Sequence, residues 1–184
     1  MISPESLTMI QEKAYWGYQD TDYVLIEFMP PFDETLIQDA LYELKRQNKQ
    51  ILIAHPERYF SNPKEAKQRV KGWIEAGAYM QVNQSSLFVS KKASNRKNAL
   101  ALIESNLVSI IASDAHHAPG RRECRLMAVY LELRRLYGTQ TAELLCSINP
   151  TRLSENKTLE KTAVKQGFLS HFMHRLRAKY RIEP

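Results

Sequence analysis

The chain has 184 residues, 43% of them hydrophobic and 25% charged, which is the length and composition of one globular domain with its own core. No apolar run approaches the roughly 18 residues a spanning helix needs, and the opening Met1-Ile2-Ser3-Pro4-Glu5 lacks a basic-then-apolar secretory pattern, so the expected compartment is the cytosol. Net charge is +6, concentrated beyond residue 157, and the two cysteines, Cys124 and Cys146, fall outside any Cys-x-x-Cys spacing and read as core thiols in a reducing compartment.

Four short runs rich in β-branched and aromatic residues, 23–28, 51–54, 79–82 and 107–112, read as buried strands. Helical patterns separate them. Leu36, Ile37, Ala40, Leu41 and Leu44 share one face of a helix over 34–48, and further helices are predicted over 63–76 and 94–105. Strand and helix alternate, so the predicted sheet is parallel. The spacing then predicts helices over about 121–136 and 139–147, the second closed by Asn149-Pro150, and a last one from about 159 to 180. A polar stretch near 154–157 divides a βα body, residues 1–154, from a basic amphipathic tail, residues 155–184.

Each predicted strand ends in a residue able to hold a metal or a polar ligand: Glu27, His55, Asn83, and Asp114 with His116. In barrel-type folds the C-terminal strand ends build the active site. Glu27, His55, Asp114 and His116 are two carboxylates and two imidazoles, a mixed oxygen and nitrogen set that suits manganese, iron or zinc. Asp114-Ala-His116 places two ligands side by side in one loop, and carboxylates bridge paired cations in hydrolytic two-metal sites. Taken singly, Glu27 also fits a solvent-facing strand residue and His55 a capped strand end. Their shared position favours a site, because an ionised carboxylate at the end of a buried apolar strand needs a compensating cation.

Arg58 follows His55 by three residues, and Arg121 and Arg122 follow His116. Guanidinium forks grip phosphate oxygens bidentately, and beside a cationic centre they repel one another unless an anion lies between. A phosphorylated substrate is the inference; the alternative leaves these arginines on the surface, capping a helix or pairing with Glu57 and Glu123. The stretch Cys146-Ser-Ile-Asn-Pro-Thr-Arg152 has the Cys-x5-Arg spacing of cysteine-dependent tyrosine phosphatases. It has no glycine, contains Pro150 without an N–H, and lacks an adjacent histidine to favour a thiolate, so Cys146 reads as a buried residue at a helix end.

The strings Tyr23-Val-Leu-Ile-Glu-Phe28, Ile51-Leu-Ile-Ala-His-Pro-Glu-Arg-Tyr59, Gln81-Val-Asn-Gln-Ser-Ser-Leu87 and Ile111-Ala-Ser-Asp-Ala-His116 stand in a fixed order. In that order and spacing they resemble the capsular-polysaccharide-type manganese-dependent protein-tyrosine phosphatases of the polymerase-and-histidinol-phosphatase (PHP) superfamily. The resemblance covers roughly residues 15–153. It implies an α/β fold, a partial, distorted β/α barrel with a parallel sheet and about four βα units, followed by C-terminal helices. It implies that Glu27, His55, Asp114 and His116 are metal ligands and that Arg58 and Arg121 hold the phosphate, with Arg122 a close competitor. The implied cofactor is manganese, with iron or zinc as substitutes. The implied substrate is the tyrosine-rich tail of a membrane-associated bacterial tyrosine kinase that controls capsule or exopolysaccharide assembly. The implied chemistry is attack by a metal-activated water in line with the tyrosyl leaving group.

The chain departs from the family in two places. The family's opening strand carries Asp-x-His-x-His, whereas no histidine precedes His55 here, and His117 stands where the family commonly has Asn. The expectation is a chain lacking the family's N-terminal part, with an exposed edge at strand 23–28. Such a chain holds fewer metals, has weak or no activity alone, and needs a partner chain or a second copy of itself. Its rival is a noncatalytic remnant that binds the kinase or homologous subunits. A histidinol-phosphate or nucleotide phosphatase is the enzymatic rival, and the His-Pro-Glu-Arg string speaks against it. Phe168, Phe172, Leu176 and Tyr180 recur every four residues opposite Arg175, Arg177, Lys179 and Arg181. This basic amphipathic pattern either docks on the body or seats 159–181 on an anionic membrane surface, and nucleic acid is not expected.

Overall fold

The computed structural model describes residues 2–29, 31–90, 93–115 and 124–164. His116, His117, Arg121, Arg122 and the chain from 165 onward lie outside the described residues. Four parallel strands, β1 (Tyr23–Ile26), β2 (Gln50–Ala54), β3 (Ala78–Asn83) and β4 (Ile110–Ala112), stand in the order β1-β2-β3-β4. Helices α2 (Glu34–Arg46), α3 (Pro63–Glu75) and α5 (Ser94–Glu104) make the crossovers between them. Order in space therefore equals order in the chain, as repeated βα units wound in one sense require. The register pairs Val24 with Ile51, Ile53 with Met80 and Val82 with Ile111, which brings all four C-terminal strand ends to one rim.

The crossover helices start where a side chain can replace a missing backbone partner. Asp33 accepts the Leu36 N–H, and Asn62 accepts the Glu65 N–H just before Pro63, whose own missing N–H costs nothing in the first turn. Their apolar stripes, Ile37, Ala40, Leu41 and Leu44 on α2 and Ala66, Val70 and Trp73 on α3, are buried in one core with Val24, Ile26, Ile51, Ile53 and Met80. Near the rim this core becomes aromatic: Phe28 and Trp73 stand 5.1 Å apart, Phe32 and Tyr59 5.6 Å, and Phe60 and Trp73 5.8 Å.

Two helices escaped the sequence reading. Helix α1 (Pro4–Gln11) has a reciprocal cap between Ser3 and Ser6 and a proline in its first turn, and α4 (Gln84–Phe88) is one short turn after β3. Helix α6 (Leu126–Tyr137) begins later than expected. The helix expected over 139–147 does not end at Asn149-Pro150. Instead α7 (Thr139–Glu143) widens into a π-turn over Leu144–Ile148, and Pro150 enters the first turn of α8 (Asn149–Ser154). The Asn149 N–H reaches back to the Leu144 carbonyl across the π-turn, and Pro150 falls at the second position of α8, where its ring is tolerated.

Residues 157–164 are not helical, although the tail helix is expected to open at about 159. They run across the starting ends of the strands as a strap. The Tyr23 hydroxyl donates to the Lys157 carbonyl at 2.8 Å, Asn149 holds Glu160 on both its N–H and its carbonyl, Thr162 donates to the Val108 carbonyl, and the Val164 N–H donates to Asn106. Leu153 and Leu159 cover Tyr23, Leu52 and Ile110 on the sheet face away from α2 and α3. These tertiary partners outweigh the weak helical preference of the segment.

The outer edge of β1 is short and partly closed by its own chain. Tyr18 donates its N–H to the Tyr23 carbonyl and Ile2 to the Glu27 carbonyl, each at 2.7 Å. Gly17 permits the first approach, since a Cβ there would lie 3.2 Å from the Tyr23 oxygen. Leu25, between the two caps, is 56% exposed. Among the described residues, the edge expected to be exposed is thus partly closed. No helix among the described residues is long and apolar enough to cross a membrane.

Candidate metal and phosphate site

Glu27 and His55 each follow the last residue of their strand, Asn83 is the last residue of β3, and Asp114 lies two residues beyond β4. The rim brings them together in two linked groups. His55 Nε2 stands 3.1 Å from Glu27 Oε1. Asn83 donates its side-chain N–H to Asp114 Oδ2 at 2.6 Å, and Arg58 reaches the same oxygen at 3.5 Å while donating to the Ser85 hydroxyl at 3.0 Å. Three of the four expected metal ligands and one expected phosphate-holding arginine therefore share one rim. Among the described residues, no three His, Cys, Asp or Glu side chains close into a cage around a common point.

The backbone at this rim is unusual at two of the three expected ligands. His55 has φ 34° and ψ 53°, and Asp114 has φ 52°. This is the left-handed region, which costs a non-glycine residue about 1–2 kcal/mol and gathers at functional sites. At His55 the bend leads directly into a 3-10 turn, Pro56–Arg58, closed by the Arg58 N–H on the His55 carbonyl at 3.0 Å. The turn sends His55 and Arg58 to the rim and Glu57 into the interior, where it is fully buried.

Burial, followed by the neighbouring Arg58 guanidinium, lowers the His55 pKa, against the smaller opposing pull of Glu27 and Asp114. The imidazole is thus kept neutral, the form that binds metal. Its Nδ1 is buried with no hydrogen-bond partner. The nitrogen that faces Glu27 is the other one, Nε2, and a neutral imidazole with the Glu27 and Asp114 carboxylates on the same rim is a donor set that fits a metal of the manganese, iron or zinc class. Burial also pushes the Glu57 carboxyl up to about 7, opposed by hydrogen bonds from the Ser86 hydroxyl and the Asn83 N–H.

Cys146 lies within the π-turn, half-buried, and burial pushes its thiol up to about 11. A neutral thiol without cationic support is no phosphatase nucleophile. Cys124 is exposed, contrary to the expectation of two core thiols. Iodoacetamide near neutral pH should therefore label Cys124 first, with Cys146 slower by about tenfold or more. Peptide mapping by mass spectrometry reads this directly, and equal rates would refute the burial of Cys146.

Sequence reasoning did not pick out Glu57, Tyr59 or Ser85. For Ser85 a signal existed, since Asn83-Gln-Ser85 is an Asx-turn pattern at a strand end: Asn83 Oδ1 accepts both the Ser85 N–H at 2.8 Å and its hydroxyl at 2.9 Å.

Comparisons with known proteins agree with the α/β fold. Tyrosine-protein phosphatase YwqE of Bacillus subtilis (strain 168) is 32% identical over 152 residues, covering 82% of this chain and 58% of that protein. Tyrosine-protein phosphatase CpsB of Streptococcus pneumoniae is 29% identical over 154 residues, covering 81% of this chain and 63% of that protein. The chain thus spans roughly three-fifths of the length of these curated relatives. Crystal structures of YwqE from B. subtilis and CpsB from S. pneumoniae, described as unique metal-dependent tyrosine phosphatases, superpose with a TM-score of 0.72 at 25% identity, over 90% of this chain and 66% of the matched one. The family profile described as capsular polysaccharide synthesis, CpsB/CapC, matches residues 1–155, which shows that the chain belongs to the CpsB/CapC family.

Proposed function

We propose that the chain serves as a metal-dependent phosphotyrosine-protein phosphatase in capsule or exopolysaccharide regulation, with the tyrosine-rich tail of a membrane-associated bacterial kinase as substrate. The observation that carries this reading is the joint placement of Glu27, His55, Asp114 and Arg58 at one rim of a parallel sheet. Glu27, His55 and Asp114 would hold manganese, with His116 as the fourth ligand. The metal supplies Lewis-acid polarisation of the phosphate and activation of water. Arg58 grips a phosphate oxygen and orients the ester, and Arg121 is its assigned companion. Ser85 steadies the Arg58 fork, so the guanidinium meets the phosphate with its rotamer already chosen. The site works from the cytoplasmic side, where the kinase tail lies.

The reading is tested by manganese titration of the full chain and by hydrolysis of a phosphotyrosine peptide with and without added manganese. The expected result is measurable manganese uptake and slow, manganese-requiring turnover, with Arg58→Ala lowering kcat/KM by about 100-fold. A second reading, a noncatalytic chain that binds the kinase or homologous subunits, is favoured by one observation, the split of the described ligands into two groups. No manganese uptake and no turnover would replace the phosphatase reading with that one.

A further inference from the structure

We propose that the inward side of the turn after β2 is a positioning device for the rim, in which Glu57 aims Asn83 and Asp114 while the Tyr59 hydroxyl locks the strand ends that carry Glu27 and His55. The proposal rests on the rim being the functional site. It adds two residues that touch neither substrate nor metal.

The five residues His55-Pro56-Glu57-Arg58-Tyr59 divide by direction. His55 and Arg58 face the rim; Glu57 and Tyr59 reach back into the protein. Glu57 Oε1 accepts the Asn83 N–H at 3.0 Å and the Ser86 hydroxyl at 2.6 Å. This clamps the start of α4, and with it Asn83, whose side chain donates to Asp114. A shift of the Asn83 backbone would therefore move the amide that holds Asp114 and the Oδ1 that holds Ser85, the residue on which Arg58 rests. On the other side, the Tyr59 hydroxyl donates to the Ala54 carbonyl at 2.7 Å and accepts the Phe28 N–H at 3.1 Å. Ala54 directly precedes His55 and Phe28 directly follows Glu27, so one hydroxyl sets the spacing of the two ligands.

The turn does not need either group to form. Asn98, fully buried on α5, holds its main chain by donating to the Glu57 carbonyl at 3.0 Å and the Phe60 carbonyl at 2.7 Å. The Tyr59 ring is held by its contacts with Phe32, Phe28 and Trp73 whatever its hydroxyl does. A carboxylate placed at zero exposure is costly and is replaceable by an apolar side chain where only packing matters. Its two hydrogen bonds to the β3–α4 junction give the reason for its presence.

The test uses the full chain and three variants, Glu57→Ala, Glu57→Gln and Tyr59→Phe, with two readouts: hydrogen exchange by NMR and manganese affinity by calorimetry. Glutamine keeps the accepting oxygen and phenylalanine keeps the ring. Glu57→Ala should speed exchange of the Asn83 side-chain amide by about tenfold or more and weaken manganese binding by about 10- to 100-fold, the usual range for removing a group behind a ligand. Glu57→Gln should stay within about threefold of the parent on both. Tyr59→Phe, which leaves the Ala54 carbonyl and the Phe28 N–H without this partner, should still fold at a modestly lowered thermal midpoint, speed exchange at the Phe28 N–H and weaken manganese binding by about tenfold. Equal behaviour of Glu57→Ala and Glu57→Gln, or unchanged exchange at Asn83, would overturn the role of Glu57. If Glu57→Ala fails to fold, Tyr59→Phe decides, and unchanged Phe28 exchange overturns the device. If the parent chain takes up no manganese, the metal reading falls, while the exchange rates still decide the positioning.

Discussion

Trp73→Ala is expected to cost about 3–5 kcal/mol, a large share of the roughly 5–15 kcal/mol that holds a domain of this size together. Trp73 is 1% exposed and packs against Phe28, Phe32, Tyr59 and Phe60. Removing it opens a cavity among rings too rigid to collapse into the space. Its indole N–H has no partner, so Trp73→Phe forfeits no hydrogen bond and should cost clearly less. The effect should also reach the rim, because Tyr59, which spans the ends of β1 and β2, leans on the indole. Urea denaturation of the three chains measures the cost. A loss below about 1 kcal/mol for the alanine variant would show that the aromatic layer is loosely packed.

The second large effect belongs to Asp114. Its side chain is 20% exposed against 43% for Glu27, so its charge is less screened by water and acts more strongly on a cation. Asp114→Asn removes the charge but keeps the shape, and asparagine accepts the left-handed backbone that this position demands. The expected result is a loss of manganese affinity above about 100-fold, larger than for Glu27→Gln, with the thermal midpoint little changed. Parent-like manganese binding by Asp114→Asn would mean that Asp114 is not a metal ligand.

What the sequence disclosed followed from period and position. Buried parallel strands leave short apolar runs, and crossover helices leave 3.6-residue stripes, so the β1 to β4 order and the helices between were legible. The ends of those strands were legible too, since Glu27, His55 and Asp114 each break an apolar run with a group that needs a partner. What stayed hidden depends on contacts between distant segments. Residues 157–164 have no strong local preference, and partners distant in sequence, Tyr23, Val108 and Asn106 among them, decide that they lie straight. Glu57 looked like a surface residue beside an arginine; its burial depends on the left-handed bend at His55, which no local pattern announced. Asn149-Pro150 carries a stop signal in sequence, and the π-turn before it turned that signal into a start.

The strap has a consequence for how the protein is made. It joins the two margins of the sheet, bonding to Tyr23 across 134 residues and to Val108 and Asn106 across 54 and 58. While the nascent chain is still being translated, the four described strands are made before the strap, and its last described tie to the β4 margin forms only when Val164 has emerged. The late closure makes the half-made sheet a client for chaperones. A gene shortened to codon 155 should yield a product that collects in inclusion bodies, whereas one ending just past codon 164 should stay in the supernatant.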